Sequence, residues 1–309
     1  MAKTNNPGSR LNQNNPSVIN FKNIYRSKFI YLALLPTFIL LTIFSYYPFF
    51  NAFYRSLYDW NGVNVSKFVG LNNFTQILTK DPLFWPSMGR MAIFTLADLV
   101  KSLVVPLVVA LLIHHIASSR AKYYYRVAVI LPAVAPGIVG LMIWKDFMSS
   151  NGIINQLLRI IGLGSLTNPW LGDIHTVVAA IIMIGFPWVN GANSLIYLSG
   201  LIGISRDLYD AAKVDGIGVW QRLWRIEIPL VIPQIRVLAT LSLIASIQSY
   251  ENILILTGGG PGGSSMVPGL LLYKNAFSYN KLGYASAIGV ILFFIIIFLT
   301  IMIKKQAKE

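Results

Sequence analysis

Residues 205–233, SRDLYDAAKVDGIGVWQRLWRIEIPLVIP, set eight charged side chains between two apolar runs, and their spacing decides what kind of chain this is. Ser205 is placed to cap a helix whose first turn carries Asp207, where a carboxylate meets the positive helix end. Leu208, Ala211 and Ala212 share one face at i, i+3, i+4 spacing, and Gly216 after Asp215 supplies a left-handed stop. Val219, Leu223 and Ile226 continue an apolar face on a second short helix. Pro229 and Pro233 open the next apolar run, because proline is best tolerated in a helix's first turn. The spacing predicts a helix–turn–helix elbow lying on a surface. Trp220 and Trp224 would let it rest on lipid headgroups as an amphipathic connector. The alternative is a knob seated in a partner's groove. Small Ala211 and Ala212 suit close approach to a protein, and acidic Asp210 and Asp215 suit an anionic leaflet poorly.

Outward from the elbow the chain is apolar. Of its 309 residues, 55% are hydrophobic and only 12% charged, with a mean hydropathy of +0.62. A soluble domain carries about a quarter charged residues, so an ordinary soluble enzyme and any disordered or fibrous class are excluded. Residues 29–54, 102–119, 127–144, 174–205 and 282–303 contain no Asp, Glu, Lys or Arg. Since a span needs about 20 mostly apolar residues, the chain reads as an all-α, polytopic membrane protein. Six transmembrane helices are expected at about 30–50, 91–113, 124–147, 177–200, 229–253 and 284–303.

The direction of the spans follows from the basic residues. With the N-terminus inside, 15 Lys and Arg fall on the cytoplasmic side and 8 outside, while Lys101 and Arg236 lie within spans. That excess places both termini and the elbow in the cytoplasm. The expected organisation is a cytoplasmic tail at 1–28, a first span with an extracytoplasmic loop at 29–90, a five-span core at 91–303 and a cytoplasmic tail at 304–309. The net charge of +14 orients the chain and forms no basic, aromatic-interleaved domain, so no nucleic acid is expected as a partner. The lipid bilayer is.

No catalytic set is legible. With no cysteine, three histidines and 11 acids, the sequence shows no metal spacing, no Ser–His–Asp set and no paired carboxylates. The run Gly258-Gly259-Gly260-Pro261-Gly262-Gly263 fits G-x-G-x-x-G as a bare pattern, but it follows a helix and contains Pro261. Read as a P-loop, it puts Ser264 where the lysine must stand. It reads instead as a sharp turn, or as a flexible extracytoplasmic lip of Gly258, Gly259 and Gly260. Asn64-Val65-Ser66 and Asn73-Phe74-Thr75 match a glycosylation pattern, which means little if the host is bacterial.

The elbow resembles the EAA loop of binding-protein-dependent ABC importer permeases: Asp210-Ala211-Ala212, Asp215-Gly216 and Pro229 fall on that pattern at its spacing. It departs in Asp210 for the usual Glu, Ile217 for a small residue and Leu223 for Phe. FVGLNNF (68–74), Arg126 with Leu131-Pro132, Trp144, Gly152 with Asn155, LTGGGP (256–261) and Gly283-Tyr284-Ala285 are similar to the carbohydrate branch of that family. The resemblance covers about residues 30–303. It implies a type I importer permease in a bacterial cytoplasmic membrane, with a second homologous permease, an ABC ATPase dimer and an extracytoplasmic sugar-binding protein as partners. ATP and Mg2+ would be used by the ATPase, this chain binding no cofactor and catalysing nothing. Coupling to the ATPase would fall to loop 205–227, through Asp210, Ala211, Ala212, Asp215 and Gly216. Glycerol-phosphate, peptide or polyamine import is the nearest alternative. A secondary transporter would leave the elbow purposeless, and a membrane scaffold or receptor would not need polar stripes inside its spans.

A sugar pathway calls for amides, carboxylates and aromatic faces. Trp188, Asn190, Asn193 and Tyr197 follow the helix-breaking Gly185 and Pro187 in span four. Gln248, Glu251 and Asn252, with Tyr250 alongside, make a stripe on span five. Hydrogen bonding between spans is the alternative use of these groups. Asp98 and Lys101, i and i+3 on span two, read first as a mutually neutralising pair facing the bundle interior and second as a substrate contact.

Overall fold

The computed structural model describes residues 28–63 and 66–306, so the expectations for most of the N-terminal tail, for residues 307–309 and for the Asn64-Val65-Ser66 pattern lie outside the described residues. In chain order the elements are α1 (Lys28–Leu41), a π-helical turn (Thr42–Tyr46), α2 (Tyr47–Arg55), β1 (Tyr58–Asp59), β2 (Lys67–Phe68), α3 (Asn72–Thr79) and α4 (Phe84–His115). Next come α5 (Ser119–Ile130), a 3-10 turn (Leu131–Val134), α6 (Gly137–Phe147), α7 (Ile153–Ile160), α8 (Val177–Met183) and α9 (Gly191–Ile202). The elbow is α10 (Arg206–Val214), α11 (Val219–Arg222), a π-helical turn (Leu223–Glu227) and α12 (Ile228–Leu230). The chain ends with α13 (Ile232–Gln248), α14 (Glu251–Leu256), α15 (Pro268–Tyr273), a π-helical turn (Lys274–Ser278) and α16 (Leu282–Gln306). Two compact units divide it: Met1–Asn51, and Ala52–Glu309, which holds the cavities and the elbow.

The sequence predicts six spans with a break in the fourth, and the structure interrupts the third and fifth as well. Among the described residues three helices are long and apolar enough to cross a membrane: Tyr31–Arg55, Phe84–His115 and Leu282–Ile303. The number rises to five when two bent pairs each count as one span. Span three turns by 84° between the Leu131–Val134 turn and α6, because Pro132 and Pro136 remove amide donors that a continuing helix would need. Span four is two short helices, α8 and α9, parted at Gly185 and Pro187 as expected. Span five bends by 61° where α12 meets α13, and it stops at Gln248 before resuming at Glu251.

Helix α4 organises the packing. At 1.5 Å per residue its 32 residues reach about 48 Å, well beyond the ~30 Å hydrocarbon core. One end packs Phe84, Met91 and Phe94 against Leu243, Ile247, Leu270 and Ile288 of α13, α15 and α16. The other packs Ala110 and Ile113 against Tyr197, Leu201, Val231 and Leu238. Between these two apolar clusters the same helices carry polar groups.

Candidate functional site

The polar middle is a groove. Asp98 and Lys101 of α4, Trp188 and Asn190 of the α8–α9 break, Pro132 and Ala133 of the span-three break, and Ser242, Ser246 and Ser249 line a cavity of about 540 Å³. Broken backbone at this depth is tolerated where it faces a cavity rather than lipid. Gly185 turns the chain with φ +80°, and Trp188 itself is left-handed at φ +58°. A non-glycine residue there costs about 1–3 kcal/mol, a strain that clusters at working sites. Trp188 is fixed by its indole Nε1 donating to the Ile184 carbonyl at 3.1 Å. The Asn190 side chain caps α9 by accepting from the Asn193 amide at 3.1 Å. Lys101 Nζ sits 3.2 Å from Asp98 Oδ1 and 5.8 Å from the centre of the Trp188 ring. The hydroxyl of Ser246 donates to Asp98 Oδ2 at 2.9 Å, tying α13 to α4.

A second cavity, of about 250 Å³, is lined by Met91, Phe94, Asn252, Leu256 and Val267, and shares Asp98, Lys101, Ser246 and Ser249 with the first. Of the expected pathway residues, Trp188 and Asn190 line the larger cavity and Asn252 the smaller. The others line neither cavity. Asn193 donates to the Ser102 carbonyl at 3.1 Å, so its amide ties two spans together. Tyr197 is fully buried in the apolar cluster with Leu201 and Val231. Tyr250 stacks on Tyr273 with ring centres 5.2 Å apart. Gln248 and Glu251 are exposed and line neither cavity, and Gln248 is parted from Glu251 and Asn252 by the end of α13. Ser242, Ser246 and Ser249 were missed, although their i, i+4, i+7 spacing on an apolar helix is itself a legible polar stripe.

The elbow forms the expected helix–turn–helix, although Leu208, Ala211 and Val219 of its expected apolar faces are exposed. Ser205 occupies the cap position of α10, but its side chain makes no capping hydrogen bond. At the other end Gly216 has φ +71°. Its amide donates to the Lys213 carbonyl at 3.1 Å and that of Ile217 to the Ala212 carbonyl at 2.9 Å, a Schellman closure. Ala212 is buried, whereas Asp210, Ala211 and Asp215 are exposed and Val214 is 88% exposed. Asp210 meets Lys213 at 3.1 Å, with both side chains about 70% exposed, an ion pair too solvated to hold the helix.

What holds the elbow is a polar cluster around one buried carboxylate. Glu227 has no exposed surface; Arg222 Nε donates to its Oε1 at 3.1 Å, and His115 Nε2 lies 3.1 Å from the same oxygen. His114 Nε2 lies 3.2 Å from the Tyr209 hydroxyl, and the Arg222 guanidinium sits 5.5 Å from the centre of the Tyr209 ring. Burial, and after it the Glu227 carboxylate, push the Tyr209 phenol up to about 12, so it keeps its proton near neutral pH. Helices α10 and α11 are thereby moored to the end of α4.

The remaining motifs are scaffold. Asn155, almost fully buried, donates to the carbonyls of Ser149, Ser150 and Asn168 and accepts from Trp170 Nε1 at 2.9 Å, closing the loop between α7 and α8. Asn155→Ala leaves those groups unmatched and is expected to destabilise the chain by about 2 kcal/mol. The measurement is thermal melting followed by tryptophan fluorescence; an unshifted melt would mean that the loop stands without it. Asn73, buried, donates to the Ser56 carbonyl at 2.8 Å, which removes it as a glycosylation acceptor. Gly258–Gly260, expected as a sharp turn or as a flexible lip, forms a tied turn. Gly258 (φ +60°) and Gly259 (φ +90°) are left-handed, Lys274 Nζ donates to the Gly258 carbonyl at 2.6 Å, and Ser265 Oγ donates to that of Gly260 at 2.6 Å.

Apolar helices, a polar groove between broken spans and a moored amphipathic elbow define the membrane component of a transport system. The chain belongs to the family described as binding-protein-dependent transport system inner membrane component, which matches residues 19–308. It is 32% identical over 273 residues to the multiple sugar-binding transport system permease protein MsmF of Streptococcus mutans, covering 88% of this chain and 92% of that one. It is 29% identical over 284 residues to the trehalose/maltose transport system permease protein MalF of Thermococcus litoralis, covering 91% and 94%. The fold matches a chain in the crystal structure of a bacterial ABC transporter involved in import of the acidic polysaccharide alginate. The TM-score is 0.81 at 23% identity, over 93% of this chain and 98% of that chain.

Proposed function

We propose that this chain is one membrane half of an ATP-driven sugar importer in a bacterial cytoplasmic membrane, with an oligosaccharide as its cargo. The observation that carries the reading is the groove: a left-handed Trp188, the amide of Asn190, a carboxylate and three serine hydroxyls gathered between helices that are otherwise apolar. Hydroxyl-rich rings need paired donors and acceptors beside an aromatic face, and this lining offers them. The sugars named for the relatives support the same cargo class. The excess of basic residues on one side supports cytoplasmic termini and a cytoplasmic elbow.

In this reading an extracytoplasmic binding protein delivers the sugar, and a second, homologous permease completes the pathway. An ABC ATPase dimer, holding ATP and Mg2+, grips the exposed face of α10 around Asp210, Ala211, Val214 and Asp215. Closing of that dimer moves α10. The Tyr209–His114 and Arg222–Glu227–His115 contacts pass the motion to α4, whose middle lines the groove. This is rigid-body alternating access driven by a two-state partner, with no chemistry in the chain itself. The test is to purify the tagged chain with untagged neighbours. An ATPase and a second permease are expected to co-purify, and ATP hydrolysis is expected to rise when sugar-loaded binding protein is added. A chain that purifies alone and moves solute on an ion gradient would overturn the reading.

A further inference from the structure

The two cavities lie in series. Along α4 the lining runs from Met91 and Phe94, past Asp98 and Lys101, to Ser102; along the facing strand of chain it runs from Asn252, past Ser249 and Ser246, to Ser242. Asp98, Lys101, Ser246 and Ser249 belong to both, so they form the junction of the two chambers. Among the described residues lining them, Lys101 is the sole cation and Asp98 the sole anion, and they are paired at 3.2 Å. The carboxylate side chain is 42% exposed and the lysine 18%.

We propose that this self-compensated pair selects a neutral saccharide, Asp98 accepting its hydroxyls at the junction while Lys101 cancels the charge of Asp98. A carboxylate has about four acceptor positions. Here Lys101 and Ser246 occupy one each, which leaves Asp98 able to receive sugar hydroxyls. An acidic sugar would need an unpaired cation in the lining. It would meet the more exposed carboxylate instead, at a depth where like charges are poorly screened. The net charge of +14 argues nothing for an anionic cargo, because among the described residues lining the chambers one Lys and one Asp cancel.

The inference rests on the sugar-import reading, and the experiment separates the two. The cognate binding protein is screened by thermal shift against neutral and uronate-containing di- to pentasaccharides. The strongest hit, tritiated, is the probe for uptake into ATP-loaded proteoliposomes holding the whole complex, with rates normalised to the amount of complex. The probe is expected to be neutral. Asp98→Asn and Lys101→Met, each leaving one charge uncompensated at the junction, are expected to lower uptake about tenfold. The double variant, neutral again, is expected to recover to within about threefold of wild type. KM for the loaded binding protein should not move, since docking lies elsewhere. Should Asp98→Asn fail to accumulate, the Lys101→Met and double variants alone decide. A uronate-bearing probe, uptake that Lys101→Met abolishes and the double variant does not restore, or single variants at wild-type rate would each overturn the inference and leave sugar import standing. If the complex moves no saccharide at all, both fall.

Discussion

Replacing Gly216 with valine is expected to abolish sugar-stimulated ATP hydrolysis while the permease still reaches the membrane. The reason is backbone conformation and not space. A Cβ at Gly216 would meet nothing within 4 Å, but the residue sits at φ +71°. A left-handed conformation costs an ordinary residue about 1–2 kcal/mol, and it is a steric outlier for a β-branched one. Helix α10 has nine residues and ends on the two hydrogen bonds that this conformation allows, from Gly216 and Ile217 to Lys213 and Ala212. Undoing them frees the turn that carries Ala211, Val214 and Asp215, the face proposed for the ATPase, while the mooring of Tyr209 and Glu227 survives. Asparagine tolerates the left-handed region, so Gly216→Asn should keep most of the stimulation. ATPase assays on purified complexes decide. A valine variant stimulated like wild type would remove the elbow from coupling, and an asparagine variant as inactive as valine would move the cause from backbone to a clash with the partner.

The elbow was legible because its structure is local. A stop glycine, two prolines at helix starts and an apolar face at helical spacing each act within a few residues. The break at Gly185 was legible for the same reason. Pro132 and Pro136 carried an equally local signal for the 84° turn in span three, which the apolar run around them masked. The interruption at Ser249–Tyr250 has no such signal. There Tyr250 lies against Tyr273, with its Cβ 3.3 Å from where a Cβ on Gly269 would stand, contacts to residues some twenty positions away that no local pattern shows. Groove membership was least legible. Asn193 and Asn252 are the same residue type, yet one ties spans together and the other lines a chamber, and only the packing of α4, α9 and α13 distinguishes them. Asp98 and Lys101 showed the converse: the sequence paired them correctly but could not place the pair at the junction of two cavities.

The largest loss of stability is expected from Arg222→Met. Glu227 is fully buried, and Arg222 supplies its short cationic contact, with His115 on the same carboxylate oxygen. Removing the guanidinium strands a buried carboxylate, for which about 3–5 kcal/mol is typical. Arg222 is itself partly exposed, which places the expected loss near the lower figure. Glu227→Gln removes the charge and keeps the shape, so it should cost less, and the Arg222→Met/Glu227→Gln double variant should be more stable than Arg222→Met alone. That ordering distinguishes an electrostatic mooring from simple packing, under which the double variant would be the worst of the three. The same cycle reads function. If the cluster carries motion from α10 to α4, Arg222→Met should hydrolyse ATP without responding to loaded binding protein even at temperatures where it remains folded, and the double variant should regain part of the response. Thermal melts of the detergent-solubilised complex and stimulated ATPase rates supply both readings. Three variants of equal stability would show that the cluster does not hold the elbow to α4.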